Sequence, residues 1–133
     1  MDKIINTSGK RKTAVARATL RTGKGRIRIN TVPLEIYSTE LVRMKISEPL
    51  MLLPGALEDV DVSIDVRGGG VMGQAEAIRT ALGRGILAWH NDPKIKEMYL
   101  GYDRTLLVND SRQKEKKKPH GRGARKKFQK SYR

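Results

Sequence analysis

The chain has 133 residues, no cysteine and a formal net charge of +14. This length fits one compact domain plus a tail, and the absence of cysteine excludes disulfides, Cys-based zinc sites and thiol catalysis. There is no long apolar run near the N-terminus and none approaching the roughly 20 residues of a membrane span, so a cytoplasmic protein with no membrane partner is expected.

Residues 13–20 alternate. Ala14, Ala16, Ala18 and Leu20 share one face, and Thr13, Val15, Arg17 and Thr19 share the other. A period of two predicts a strand. Thr22, Gly23, Lys24 and Gly25 supply turn residues, and residues 26–30 alternate again with Ile27 and Ile29 inward. Together the two runs predict a β-hairpin whose outer face displays Arg17, Arg26 and Arg28. The row of small alanines lets another element pack closely.

Pro33 suits the first turn of a short helix over residues 34–37. Residues 39–53 read as a helix capped by Thr39, with Leu41, Met44, Leu52 and Leu53 buried. Pro49 is expected to kink or split it. Residues 60–66 form the cleanest strand pattern: Val60, Val62, Ile64 and Val66 face the core, while Asp61, Ser63 and Asp65 face solvent. After three glycines, residues 71–90 read as a helix with a buried stripe of Ile78, Leu82, Ile86 and Trp89. Gly83 and Gly85 weaken such a helix by about 1 kcal/mol each relative to Ala, so close approach of a neighbouring backbone is the expected compensation. Asp92 before Pro93 marks the N-cap of another short helix reaching Tyr99, and residues 106–108 suggest a last short strand. The order predicts one α+β domain over residues 1–109, a small sheet with helices on one face.

Gly68-Gly-Gly70-Val-Met-Gly73 satisfies G-x-G-x-x-G between a predicted strand and a predicted helix, with Asp92 19 residues further on. That is the local context of a dinucleotide-binding loop, and it defines an alternative reading as a nucleotide-binding enzyme. Too little chain follows for a second mononucleotide half, and capping accounts for Asp92 better than a ribose contact does. The glycines then serve a sharp turn, or their amides hold an RNA phosphate. His90 at a helix end suits packing and capping, and His120 suits a solvated or RNA-facing position. No constellation of nucleophile, base and oxyanion donors is present, and no cofactor or metal is expected.

The charge is divided unevenly. Residues 1–30 carry a net +8, residues 31–109 a net −3, and residues 110–133 a net +9. The last 24 residues hold 11 Lys/Arg against 2 acids and little to bury, so they should order only against a polyanion. Nucleic acid fits best, because each neutralised phosphate releases condensed counterions. A generic nucleic-acid chaperone or DNA-compacting protein is a further alternative on charge alone. Lys10, Arg11, Lys12 and Arg17 offer a second phosphate-binding surface at the other end of the chain.

Three separated blocks carry a more specific signal. They are Gly9-Lys-Arg-Lys-Thr-Ala-Val-Ala-Arg17 with Gly23-x-Gly25 and Ile27-x-Ile29-Asn30; Gly68-Gly-Gly-Val-Met-Gly-Gln-Ala-Glu-Ala-Ile-Arg79 with Ala81 and Gly83-Arg-Gly-Ile86; and Asp110-Ser-Arg112, Glu115-Lys-Lys-Lys118, Gly123-Ala-Arg125 and Gln129-Lys-Ser-Tyr-Arg133. In this order the chain resembles the universal ninth-protein family of the small ribosomal subunit. The resemblance implies a left-handed βαβ crossover, no catalytic activity, and binding to small-subunit ribosomal RNA in the head beside neighbouring head proteins. It also implies an extended basic tail over residues 110–133 that threads towards the peptidyl-site tRNA, with Arg133 at the position of the family's terminal Arg. The ending Gln-Lys-Ser-Tyr-Arg departs from the bacterial Gln-Phe-Ser-Lys-Arg and is similar to the archaeal and eukaryotic branch.

The expected ribosomal RNA ligands are therefore Lys10, Arg11, Lys12, Arg17, Arg26, Arg28, Gly68, Gly69, Gly70, Gln74, Arg79, Arg112, Lys116, Lys117, Lys118, Arg122 and Arg125. The expected tRNA-proximal residues are Lys126, Lys127, Gln129, Lys130, Ser131, Tyr132 and Arg133. Extended, a tail of 24 residues reaches roughly 80 Å, far enough to enter RNA where a folded domain does not fit.

Overall fold

Five strands, β1 (Ile4–Arg11), β2 (Ala14–Thr22), β3 (Ile27–Ile29), β4 (Val32–Pro33) and β5 (Val60–Arg67), form one mixed sheet in the order β1-β2-β5-β3-β4. The structure is a computed structural model that describes residues 2–132. Three α-helices, α1 (Glu40–Leu52), α2 (Val71–His90) and α3 (Pro93–Tyr102), complete the α+β fold among the described residues. None of them is long and apolar enough to cross a membrane.

The alternating runs do become strands, but the expected hairpin between residues 13–20 and 26–30 does not form. β5 lies between them, antiparallel to β2 and parallel to β3. Its continuous row Val60, Val62, Ile64 and Val66 is the most apolar in the sheet, so the centre is where it removes most apolar area from water. The parallel pair β3–β5 is joined by a crossover that includes α1. The hairpin is instead β1–β2, turning through Lys12 and Thr13, with Lys12 at φ 52°. β1 escapes a period-two reading because its core-facing residues are Ile5, Thr7, Gly9 and Arg11, only one of them a large hydrophobe.

Gly9 explains why so polar a strand is covered. A Cβ built there would lie 2.1 Å from the Ala77 carbonyl oxygen and 2.8 Å from the Ala81 amide nitrogen. The bare backbone of β1 and the alanines of β2 let α2 sit directly on the sheet; Ala14, Ala16 and Ala18 are all buried beneath it. Gly83 is also a contact residue: its missing Cβ would meet the Leu106 carbonyl oxygen at 2.4 Å. Gly85 faces the Leu20 side chain. Leu20, Ile64, Ile78, Leu82 and Ile86 fill the layer between sheet and helix. Each contributes roughly 1.5–3 kcal/mol by leaving water.

The stripe of α1 differs from expectation. Leu41 is 66% exposed and Met44 is 54% exposed, while Val42, Ile46 and Pro49 are buried and Leu52 and Leu53 are half-buried. This helix has two apolar stripes about one residue apart, and packing against α2 selects one. Pro49 does not split α1, because it falls in the last turn, where only one backbone bond is forfeited. Its carbonyl accepts the buried Tyr99 hydroxyl at 2.8 Å, and burial pushes that phenol up to about 12. Trp89 is only half-buried, with Lys3 Nζ 4.8 Å above its ring. Residues 106–108, read as a last strand, form none: Leu106 ends a 3-10 turn (Arg104–Leu106) nucleated by Asp103, whose side chain accepts from the Thr105 amide, and Leu107 and Val108 continue as a turn and a bend.

Candidate nucleic-acid interface

The helices cover one face of the sheet and leave the other open. On β2 the open face presents Val15, Arg17, Thr19 and Arg21; on β5 it presents Asp61, Ser63, Asp65 and Arg67. β3 and its approach add Arg26 and Arg28. Arg17 lies opposite Asp65, Arg21 opposite Asp61, and both Thr19 and Arg28 opposite Ser63. Two arginine rows thus flank a low central row at a distance of two strand spacings, about 10 Å. The trough between them, about 350 Å³, is lined by Thr19, Arg21, Arg26, Arg28, Asp61 and Ser63.

Among the described residues, none of Arg17, Arg21, Arg26, Arg28 and Arg67 is engaged in an ion pair. Five uncommitted guanidiniums against two aspartates give this face the charge and fork geometry that phosphates require. Arg21 and Arg67 are additions to the expected set. Each continues a period-two row already visible in the sequence, Arg17-x-Thr19-x-Arg21 and Asp61-x-Ser63-x-Asp65-x-Arg67. Asp61 is more than a solvated face residue. Its Oδ1 accepts from the amides of Lys24 (2.9 Å) and Arg26 (3.1 Å), fixing the loop that launches Arg26 and Arg28. Those amides, Lys24 first, hold its carboxyl below the usual carboxylate range.

The glycine loop has a steric origin at two of its three expected contacts. Gly68 (φ 79°) and Gly69 (φ 66°) occupy the left-handed region, and a Cβ on Gly68 would lie 2.3 Å from the Thr13 carbonyl oxygen. Gly70 is open and caps α2 without a side-chain bond. The Gln74 side-chain amide donates to the Gly68 carbonyl at 3.0 Å, bracing the turn. Among the described residues there is no cluster of three or more His, Cys, Asp or Glu side chains able to hold a metal. His90 reaches the Ala56 carbonyl at 2.7 Å, the packing role its position suggests. Asp92 caps α3 by accepting from the Lys94 amide at 3.0 Å.

Three expected phosphate ligands bind carboxylates of the protein itself, Arg79 and Arg11 largely enclosed and Arg112 at the surface. Arg79 is 4% exposed. Its Nη2 bonds Asp103 at 2.9 Å, its Nη1 bonds the Thr105 hydroxyl at 2.8 Å, and its Nε makes an ion pair with Glu48 at 2.6 Å. It therefore ties α1, α2 and the 3-10 turn together and presents no face to RNA. Helical spacing does anticipate this, since Arg79 lies between Ala75 and Leu82 on the buried stripe. At Asp103, partial burial works upward, but the Thr105 amide, Arg79 and the Thr105 hydroxyl outweigh it and bring the pKa down to about 2. Arg11 bonds Glu76 at 2.8 Å and the Arg112 carbonyl at 2.9 Å, and Arg112 folds onto Asp110 at 2.7 Å.

Lys10 and Lys12 are exposed beside the first hairpin. Beyond residue 106 the described chain has no helix or named strand. The tail is nevertheless not a featureless thread. Glu115 pairs with Lys118 and Arg125, each at 3.0 Å, and Gly121 bridges to Lys127. Lys116, Lys117, Arg122, Lys126, Lys127, Gln129, Lys130, Ser131 and Tyr132 are exposed. Arg133 lies outside the described residues.

Comparison with known proteins adds an independent line. Residues 9–133 match the family described as Ribosomal protein S9/S16. The chain is 63% identical to the small ribosomal subunit protein uS9 of Methanothrix thermoacetophila, over 98% of this chain and 99% of that protein. It is 54% identical to the protein of that name from Thermoplasma volcanium over the full length of both. It is 51% identical to that of Halobacterium salinarum, over 98% and 99% respectively.

Proposed function

The chain belongs to the ribosomal protein S9/S16 family, and from that membership we propose that it is a structural component of the small ribosomal subunit, acting by binding ribosomal RNA and not by catalysis. The observation that carries this reading is the end-to-end similarity to relatives named as small-subunit proteins. The open arginine face of the sheet supplies the phosphate-binding surface, with Lys10, Lys12 and the exposed tail lysines extending it. The body over residues 1–109 anchors the protein in RNA, and the tail over residues 110–133 runs on towards the peptidyl-site tRNA. There Lys126, Lys127, Gln129, Lys130, Ser131, Tyr132 and Arg133 are the candidate contacts. Tyr132, 93% exposed, is free to stack on a base.

Two experiments test this. Tagged protein should co-sediment with small subunits from its own cells through a high-salt gradient at about one copy each; stripping by salt would return generic nucleic-acid binding, because loosely held cations are screened away. Subunits carrying protein without residues 125–133 should assemble normally yet hold peptidyl-site tRNA less well. Equal tRNA retention would remove the tail from that role.

A further inference from the structure

We propose that Asp110 is a positioning residue that fixes the direction in which the basic tail leaves the body, with Arg11 and Arg112 as its two clamps. The proposal rests on the reading above in one respect only, that the tail works by reaching RNA.

The geometry is that of a junction. Asp110 joins Arg11 in an isolated parallel bridge, so the departing chain adds briefly to β1, the edge strand of the sheet. The Asp110 carboxylate receives Arg112 twice over: the Arg112 amide at 3.0 Å turns the backbone, and the guanidinium folds back with Nε at 3.0 Å and Nη2 at 2.7 Å. From the other side Arg11 Nη1 approaches at 3.5 Å. The same Arg11 nitrogen donates to the Arg112 carbonyl, so the residue after the turn is held as well. Glu76 on α2 orients Arg11 through Nε at 2.8 Å. The side chains of Arg11 and Asp110 are only 16% and 15% exposed, unlike every residue from 111 to 120.

The approach to this junction is secured separately. The Asn109 side chain accepts from the Lys10 amide at 3.0 Å, and Arg84 donates to the carbonyls of Leu107 (2.7 Å) and Ser8 (2.8 Å). Among the described residues, hydrogen bonds to the body therefore end at Arg112, the pairs beyond it lying within the tail itself, and the last vector fixed against the body is the one Asp110 sets. A long chain that leaves a fixed root in a fixed direction searches less volume than one pivoting freely, so less ordering remains when RNA receives it. Arg11 is a poor phosphate ligand in this state because it is largely enclosed and paired with carboxylates, whereas Arg112, 82% exposed, keeps an outer edge open to solvent.

The chain has no cysteine, so pairs of engineered cysteines label it uniquely. With spin labels at Lys96→Cys on α3 and Lys114→Cys just past the junction, the full-length protein should give one narrow distance distribution. Asp110→Ala should broaden it markedly, and so should Arg11→Gln; the double variant should be no broader than either alone, as expected of a single coupled unit. Melting curves check that each variant folds, and Arg11→Gln carries the test if Asp110→Ala does not. An unchanged width in a folded variant overturns the latch. In reconstituted subunits, both variants should be incorporated normally but lose peptidyl-site tRNA retention several-fold, towards the level of the tail truncation. Full retention by Asp110→Ala where the truncation loses it overturns the positioning role, since RNA alone would then order the tail. If the truncation itself retains tRNA fully, the tRNA reading fails, and the latch is judged by the distance widths alone.

Discussion

The two faces of the sheet are built from the same strands and have opposite fates. Along β2, Ala14, Ala16, Ala18 and Leu20 point to the covered face, and Val15, Arg17, Thr19 and Arg21 point to the open one. Along β5 the covered row is Val60, Val62, Ile64 and Val66, and the open row is Asp61, Ser63, Asp65 and Arg67. The covered face is held by contact: bare or small positions admit α2, and large ones fill what remains. The open face has only a few polar contacts of its own, chiefly Asp61 on the Lys24 and Arg26 amides, and otherwise relies on the covered face for its shape. One period-two alternation therefore encodes a core and the proposed RNA-binding surface at once, and a change on one face should leave the other's role legible.

That separation can be challenged by substitution. The largest stability loss is expected from Ile64→Ala on the covered face, about 2–5 kcal/mol from lost transfer energy plus cavity. Ser63→Ala, its neighbour on the open face, should stay within about 0.5 kcal/mol in the same denaturant titration. Equal effects would erase the distinction. Gly9→Ala should cost about 1–3 kcal/mol as an overpacked contact, because its Cβ collides with α2 backbone that cannot rotate away. An unchanged melting temperature would mean that α2 is not seated on β1.

On the open face the signature is reversed. Arg21→Gln and Arg67→Gln should leave stability within about 0.5 kcal/mol. Each should lower the salt slope of ribosomal RNA binding by about 1, as for one lost phosphate contact. Binding isotherms at several salt concentrations decide this, and slopes equal to the parent's would remove the two residues from the interface.

The smallest expected effect is from acid. With its pKa lowered to about 2, Asp103 contributes stability that is fully present above its ordinary pKa of 3.8 and is lost as pH falls through about 2. Its contribution should be flat from pH 5 to 8 and appear only in acid unfolding. Asp103→Asn should flatten that limb, and an acid limb of parental steepness would assign the loss to other carboxylates.

How much of this was legible in the chain depends on the range of the interaction concerned. Period two announced β2, β3 and β5, and period 3.6 announced α2, because these patterns report which side of an element is dry. The same alternation held Arg21 and Arg67 in plain view. β1 was hidden: its core-facing row is mostly small or polar, and only the backbone of α2 lying 2.1 Å from a notional Gly9 Cβ explains its burial.

By itself, the sequence determined an α+β domain with one covered sheet face, a cation-rich tail and, through three separated blocks, the family. These follow from local periodicity, local charge and residues read in order. Only the tertiary structure decided that β5 separates β2 from β3, that α1 buries Val42 and Ile46 in place of Leu41 and Met44, and that Arg11, Arg79 and Arg112 bind carboxylates. Each of those outcomes depends on a partner distant in the chain. An arginine's charge is the same in every sequence, and whether it meets a carboxylate or a phosphate is settled only when folding brings the neighbour to it.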